Sequence, residues 1–168
     1  MSLSRYEEVK ARFERTVPIR GRTTECKPWS NRRRDWEQVV CEITPVGIAY
    51  GARLYNTNCV MWLPNGDLHL KADGWSTPTT AEFISNRIPF QCYKRYNRIW
   101  VESQTIDGAY PIPSDGKLVI KYNAQDNTYR IDNPEKLTQR VVDKSKMKAV
   151  RNPLKGVKQY IKSILKLS

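Results

Sequence analysis

Apolar residues first recur at helical spacing, with Tyr6, Val9 and Phe13 falling at i, i+3 and i+7. Ser4 and Glu7 precede them as an S-x-x-E capping box, so a short amphipathic helix is expected over about 5 to 15. Residues 16 to 34 break the pattern with Pro18, Gly21 and Pro28, and read as a loop or extended arm.

From 38 to 131 the period changes to two. QVVCEIT, GIAYGARLY, NCVMWL, DLHLKA, IWVES, KLVIKY and TYRI are short, β-branched or aromatic, and separated by Gly, Pro, Asn or Asp. The clearest unit is VMWLPNGDLHLK. Asn65-Gly66 is the preferred pair for a two-residue type I′ turn, which needs φ > 0 at both positions. That loop would set Leu63 opposite Leu68, Trp62 opposite His69 and Met61 opposite Leu70. Met61, Leu63, Leu68 and Leu70 would then share one face, and Val60, Trp62, His69 and Lys71 the other. After Gly74-Trp75, Thr79-x-x-Glu82 is a second capping box for a helix over about 80 to 87, with Phe83, Ile84 and Ile88 facing a core and Pro89 as its stop. Asp107-Gly108 and Asp115-Gly116 mark further turns. In the tail, Asn133-Pro134 and Asn152-Pro153 each place a capping residue before a proline, predicting two helices.

The expected fold is therefore α+β: an antiparallel sheet or partial barrel of about six to seven short strands, a short N-terminal helix and two basic C-terminal helices. Residues 1–133 would form the core domain, including a basic arm at 20–34, and 134–168 a basic helical tail.

The 168 residues, 39% of them hydrophobic, suit one domain with a modest core. No 18-residue apolar run exists, so no membrane span is expected. The N-terminus has no apolar signal core, which points away from secretion. Cys26, Cys41, Cys59 and Cys92 include no C-x-x-C pair and only His69 could join them, so no zinc or other metal site and no cofactor is expected; reduced thiols are. The formal net charge of +12 is unevenly placed: 20–34 carries +5 and 134–168 carries +8, while 35–133 carries −2. Basic ends on a near-neutral body favour an anionic partner such as nucleic acid, an acidic protein face or anionic lipid.

Several segments together resemble a known pattern: RTVPIRG at 15–21, NRRR at 31–34, Y-x-x-R-L-Y-N-T at 50–57, W-x-P-N-G at 62–66 and G-W-x-T-x-T-T at 74–80. They look like a group of small, mostly uncharacterised proteins encoded by tailed bacteriophages. The likeness covers roughly 15 to 88, with G-W-x-T-x-T-T its most specific part, and excludes the tail. It implies a phage protein acting in the bacterial host cytoplasm and carries over no catalytic residues. Ala72-Asp73 departs from the glycine- or asparagine-rich approach expected before Gly74-Trp75.

Candidate chemistry is sparse. His69 is the single histidine, and Asp67 or Asp73 could pair with it; the alternative is a strand histidine stacked on Trp62. No P-loop, G-x-G-x-x-G, H-E-x-x-H or G-x-S-x-G occurs, and no enzyme is expected. Ser76, Thr77, Thr79 and Thr80 at a helix start could hold an anion, or could satisfy the helix's own N–H groups. Trp75 reads as a core plug or hairpin cover rather than a ligand platform. CYKRYNRIW interleaves Tyr93 and Tyr96 with Lys94, Arg95 and Arg98, suiting bases and phosphates, or else is a strand–turn–strand with solvated charges; Trp100 belongs to a core. Lys155, Lys158, Lys162 and Lys166 could grip nucleic acid, dock on an acidic protein groove, lie on a membrane, or be a solvated face of a packed helix.

The leading expectation is a non-enzymatic, phage-encoded nucleic-acid-binding protein using Arg32, Arg33, Arg34 and the lysine-rich tail on the backbone, with Tyr93 and Tyr96 stacking. The alternative is an inhibitor that binds a host protein complex, of the anti-defence kind such as anti-CRISPR or for transcription take-over. The third is a His69-dependent hydrolase.

Overall fold

The computed structural model describes residues 2–21, 26–30 and 36–132, with side chains from Arg5 onward. The arm residues Arg32, Arg33 and Arg34, the tail from 134 with its two expected helices, and Lys155, Lys158, Lys162 and Lys166 lie outside the described residues.

Helix α1 spans Ser2–Arg15. It already includes Ser4, so the Ser4–Glu7 capping box expected from the sequence does not mark its start. Nine strands follow among the described residues: β1 Glu37–Thr44, β2 Gly47–Leu54, β3 Thr57–Trp62, β4 Leu68–Lys71, β5 Gln91–Arg95, β6 Arg98–Ser103, β7 Gly108–Pro111, β8 Lys117–Asn123 and β9 Thr128–Ile131. Helix α2, Pro78–Ser85, stands between β4 and β5. The strands make an antiparallel six-stranded sheet, β1-β2-β3-β4-β8-β9, and a separate three-stranded sheet, β5-β6-β7. The class is α+β as expected, but it has two sheets rather than one sheet or barrel. The two additional strands are β5, in the stretch that the strand–turn–strand alternative covers, and β7, which starts at the Asp107-Gly108 turn.

Facing positions in the register explain the core. Val39, Ala52, Val60, Leu70 and Leu118 lie opposite one another across five strands and all are buried. Tyr50, Trp62, Leu68 and Ile120 make the next row on that face. Helix α1 covers the row's start, with Tyr6 and Phe13 both against the Tyr50 ring and the Tyr6 hydroxyl donating to Ile48 O at 2.8 Å. Val9, between them on the helix, is buried. Trp29 stacks on Trp62 at 6.4 Å between centroids. Phe83, Ile84, Ile88 and Trp100 are buried, as the sequence predicts.

The β3–β4 connection corrects the expected register. Leu63 N donates to Asp67 O and Gly66 N to Leu63 O, both at 3.0 Å. The loop is Pro64-Asn65-Gly66: a type I turn followed by a left-handed glycine, Gly66 having φ 94°. Asn65 has no positive φ, so the two-residue type I′ turn is excluded. Proline explains the choice, because its fixed φ suits the first central position of a type I turn. One extra loop residue slips the register by one. Trp62 faces Leu68, Met61 faces His69 and Val60 faces Leu70. A slip of one residue exchanges faces, so Trp62 goes to the covered face and His69 sits opposite Met61, not Trp62.

Helix α2 begins earlier than the 80–87 expected. Thr77 is its N-cap, accepting from Thr80 N, and Pro78 occupies the first turn. A proline suits that position because its missing N–H would have no partner there, so the Thr79–Glu82 capping box is not used.

Candidate functional site

Two turns with left-handed backbones frame an open cleft of about 500 Å³. On one side, the link between β2 and β3 contributes Leu54, Tyr55, Asn56 and Thr57. On the other, the approach to α2 contributes Trp75, Thr77, Thr79 and Thr80. These are residues of the R-L-Y-N-T and G-W-x-T-x-T-T segments, brought together from separate parts of the chain. Cys59 and Ala72 complete the wall. Cys59 is the extra residue of a β-bulge in β3, lying between Asn58 opposite Arg53 and Val60 opposite Ala52.

Trp75 is 66% exposed and Tyr55 63% exposed. The expectation of Trp75 as a core plug is therefore wrong. The cause is backbone geometry: Asp73 and Gly74 take φ 48° and 81°, and Trp75 N donates to Ala72 O at 2.8 Å. Two successive positive φ values make a tight turn of the I′ kind, which directs the indole away from the core. Gly74 suits such a position because it lacks a Cβ. Thr77 N donates to Trp75 O at 2.8 Å, fixing the next link. Tyr55 itself has φ 52°, rare for a bulky side chain, and its N–H donates to Trp36 O at 2.7 Å.

The four hydroxyls of the possible anion site divide. Thr77 Oγ1 accepts from Thr80 N at 3.1 Å and lies 3.0 Å from Thr80 Oγ1, so both serve the helix start. Thr79 is exposed, Ser76 is half-buried, and Ser76 does not line the cleft. Among the described residues no charged side chain lines the cleft. Burial pushes the Cys59 thiol up to about 12, so it too is neutral.

On the other face of the large sheet, a polar groove of about 440 Å³ holds His69 with Glu42, Arg53, Lys71, Asp73, Asp115 and Lys117 on its walls, and meets the cleft at Asn56. Burial, then the nearby Lys117 charge, lowers the His69 pKa. Asp67 does not orient the imidazole. It is buried, with Oδ1 accepting from Tyr122 N at 2.9 Å and Oδ2 3.2 Å from Lys121 Nζ. Asp73 pairs with Lys71 at 3.3 Å. Among the described residues neither carboxylate bonds to His69, so the His/Asp pair that the hydrolase alternative needs is not assembled. No group of His, Cys, Asp and Glu suited to a metal occurs among the described residues.

The β5–β6 hairpin carries the remaining described candidates. Tyr96 and Asn97 take φ 53° and 56°, a two-residue turn with both central residues left-handed. Arg95 faces Arg98, and Tyr93 faces Trp100 on the same side of the hairpin. Lys94, Arg95 and Arg98 are exposed, and Tyr93 and Tyr96 half-buried. The Arg95 guanidinium lies 5.1 Å from the Tyr96 ring centroid. Trp100 is a core residue whose Nε1 donates to Arg95 O at 2.8 Å.

An arginine–aromatic stack was not legible in the sequence. Arg5 lies over Trp62, while Arg12 and Arg87 lie over Trp29 at 4.7 and 4.9 Å. Arg87 also covers Phe83, donates to Phe83 O at 2.8 Å and sits 3.5 Å from Glu37. Burial lowers its pKa to about 10. Trp29 N donates to Glu37 O at 2.8 Å beside this stack.

The chain matches no protein-family model, no curated protein and no solved structure. Among the described residues, no helix is long and apolar enough to cross a membrane.

Proposed function

We propose that the chain is a nucleic-acid-binding protein without a catalytic role, acting as a phage-encoded factor in the host cytoplasm. The β5–β6 hairpin carries the reading. Its segment 92–100 contains Lys94, Arg95 and Arg98 and no carboxylate. Like charges directly opposite on neighbouring strands are destabilising, and Arg95 opposite Arg98 is such a pair. A bridging phosphate would offset that repulsion, with Tyr96 and Tyr93 adjoining to stack on a base. Arg32, Arg33 and Arg34 and the lysines of 134–168 would add backbone contacts.

The test is fluorescence anisotropy with labelled DNA and RNA fragments at low and high salt. Binding should weaken steeply as salt rises, and deleting 134–168 should remove most of the affinity. No binding at low salt overturns the reading.

An exposed apolar patch favours a second reading, inhibition of a host protein complex. Ile43 is 89% exposed, Val46 52% and Ile48 48%, and Ile43 faces Ile48 at the end of the β1–β2 hairpin on an edge strand. Exposed apolar surface at a sheet edge suits a protein partner. A pull-down from nuclease-treated bacterial lysate should then retain a stoichiometric partner that Ile43→Asp loses; a partner set unchanged by that substitution sinks this reading.

A further inference from the structure

We infer that the cleft between the β2–β3 link and the start of α2 receives one unpaired base of a single-stranded nucleic acid, stacked against Trp75 and Tyr55. The inference rests on the nucleic-acid reading above and names the substrate feature that the fold selects.

The cleft's size, about 500 Å³, falls within the range of small-molecule sites. Its two aromatic side chains are among the most exposed large apolar groups of the chain. Neither is exposed by slack. Trp75 is held by hydrogen bonds at its own N–H and carbonyl, and Tyr55 by its N–H, on backbone that is left-handed at Asp73, Gly74 and Tyr55. Non-glycine residues in that region cost free energy, and such positions cluster at ligand clamps. The fold thus spends stability holding two flat rings where water can reach them.

The lining chemistry selects the occupant. With no charged side chain among the described residues that line the cleft, a phosphate or carboxylate would find no counter-ion among them to offset its lost hydration. An aliphatic side chain would leave the Asn56 amide and the Thr79 hydroxyl unmatched. A nucleobase is flat and uncharged, and its edge carries both donors and acceptors, so it meets rings and polar groups together. The carrier follows from charge complementarity. A chain of net charge +12 attracts a polyanion, and a single strand presents such bases already unstacked. Among the described residues the adjoining groove offsets Arg53, Lys71 and Lys117 with Glu42, Asp73 and Asp115, so it offers phosphates no net grip. The cationic hairpin and the basic ends supply that grip, and the cleft supplies the preference for single strands.

The test measures anisotropy with labelled poly-dT, poly-rU and a DNA duplex, using the full chain and its Trp75→Ala, Trp75→Phe and Tyr55→Ala variants, each checked by thermal melting. Trp75→Ala should weaken single-strand binding about 5- to 150-fold, the usual range for losing one stacked base. Trp75→Phe should restore part of it. Duplex affinity and the salt slope should stay unchanged, because no phosphate contact is removed. If the unaltered chain binds single strands and both alanine variants bind as well, the base cleft is overturned while the nucleic-acid reading stands. If the unaltered chain binds neither strands nor duplex at low salt, that reading falls and takes the cleft's assigned occupant with it.

Discussion

The Asp67 carboxylate accepts a hydrogen bond from the Tyr122 backbone N–H at 2.9 Å, joining the β3–β4 turn to β8 across 55 residues of chain. The intervening chain holds α2 and the whole three-stranded sheet. Strand β4 begins at Leu68, opposite Ile120, and the turn curls away before it can pair with Tyr122. The side chain of Asp67 takes the place of the missing backbone acceptor. Its other oxygen lies 3.1 Å from Asn65 Nδ2 and 3.2 Å from Lys121 Nζ. Asp67→Ala should lower unfolding free energy by about 2 kcal/mol, the usual worth of a hydrogen bond to a charged group. Asp67→Asn, which keeps an acceptor, should cost less. Urea denaturation of the two variants measures both.

Removing the opposed cations of the β5–β6 hairpin should separate stability from binding. Arg95→Gln with Arg98→Gln leaves the turn intact and relieves a cross-strand repulsion, so the melting temperature should hold or rise. The slope of log affinity against log salt should fall by about 1.4 for single strands if both groups meet phosphates. An unchanged slope would remove the hairpin from the interface.

His69 gives the fold an acid-sensitive position. Its folded-state pKa is lowered, first by burial and then by Lys117, so as pH falls through the ordinary histidine range the unfolded chain takes up a proton more readily than the folded one. Stability should therefore drop as pH falls from about 7 toward 5, and His69→Gln should flatten that drop. The same variant tests the hydrolase alternative, since any hydrolytic activity it retains is independent of the imidazole.

Thiol reactivity should be graded by depth. Cys41 is exposed, whereas Cys59 and Cys92 are buried, with pKa values pushed up by burial from 9.0 to about 12. A maleimide at neutral pH should label Cys41 quickly, and Cys59 and Cys92 only on unfolding. Above pH 9.0 the unfolded chain would release these protons while the folded chain keeps them, so this stabilising contribution declines as pH rises toward about 12. Melting temperatures of the chain and of a Cys59→Ala, Cys92→Ala variant across that range should converge.

Local rules were enough for much of the architecture. The change from helical to two-residue period separated α1 from the sheet region, and β-branched runs bounded by Gly, Pro, Asn and Asp marked seven of the strands. Phe83, Ile84, Ile88 and Trp100 were legible as core because periodicity and size agree there. Turn chemistry was legible only in part. Asn65-Gly66 carries a strong two-residue signal, yet Pro64 recruits the position before it, and one added residue moves Trp62 and His69 to opposite destinations.

By itself, then, the sequence determined the class, most of the strands, core positions such as Phe83, Ile84, Ile88 and Trp100, and the placement of charge at the chain's ends, because each depends on neighbours within a few residues. Tertiary structure alone decided what meets what. It split the strands into two sheets, committed Asp67 to Tyr122 rather than to His69, and layered Arg5, Arg12 and Arg87 on Trp62 and Trp29. It also set Tyr55 and Trp75 around one cleft. Those contacts join residues far apart in the chain, and their geometry is set by register and by left-handed turns at residues such as Tyr55, Asp73 and Tyr96, whose side chains do not announce that conformation.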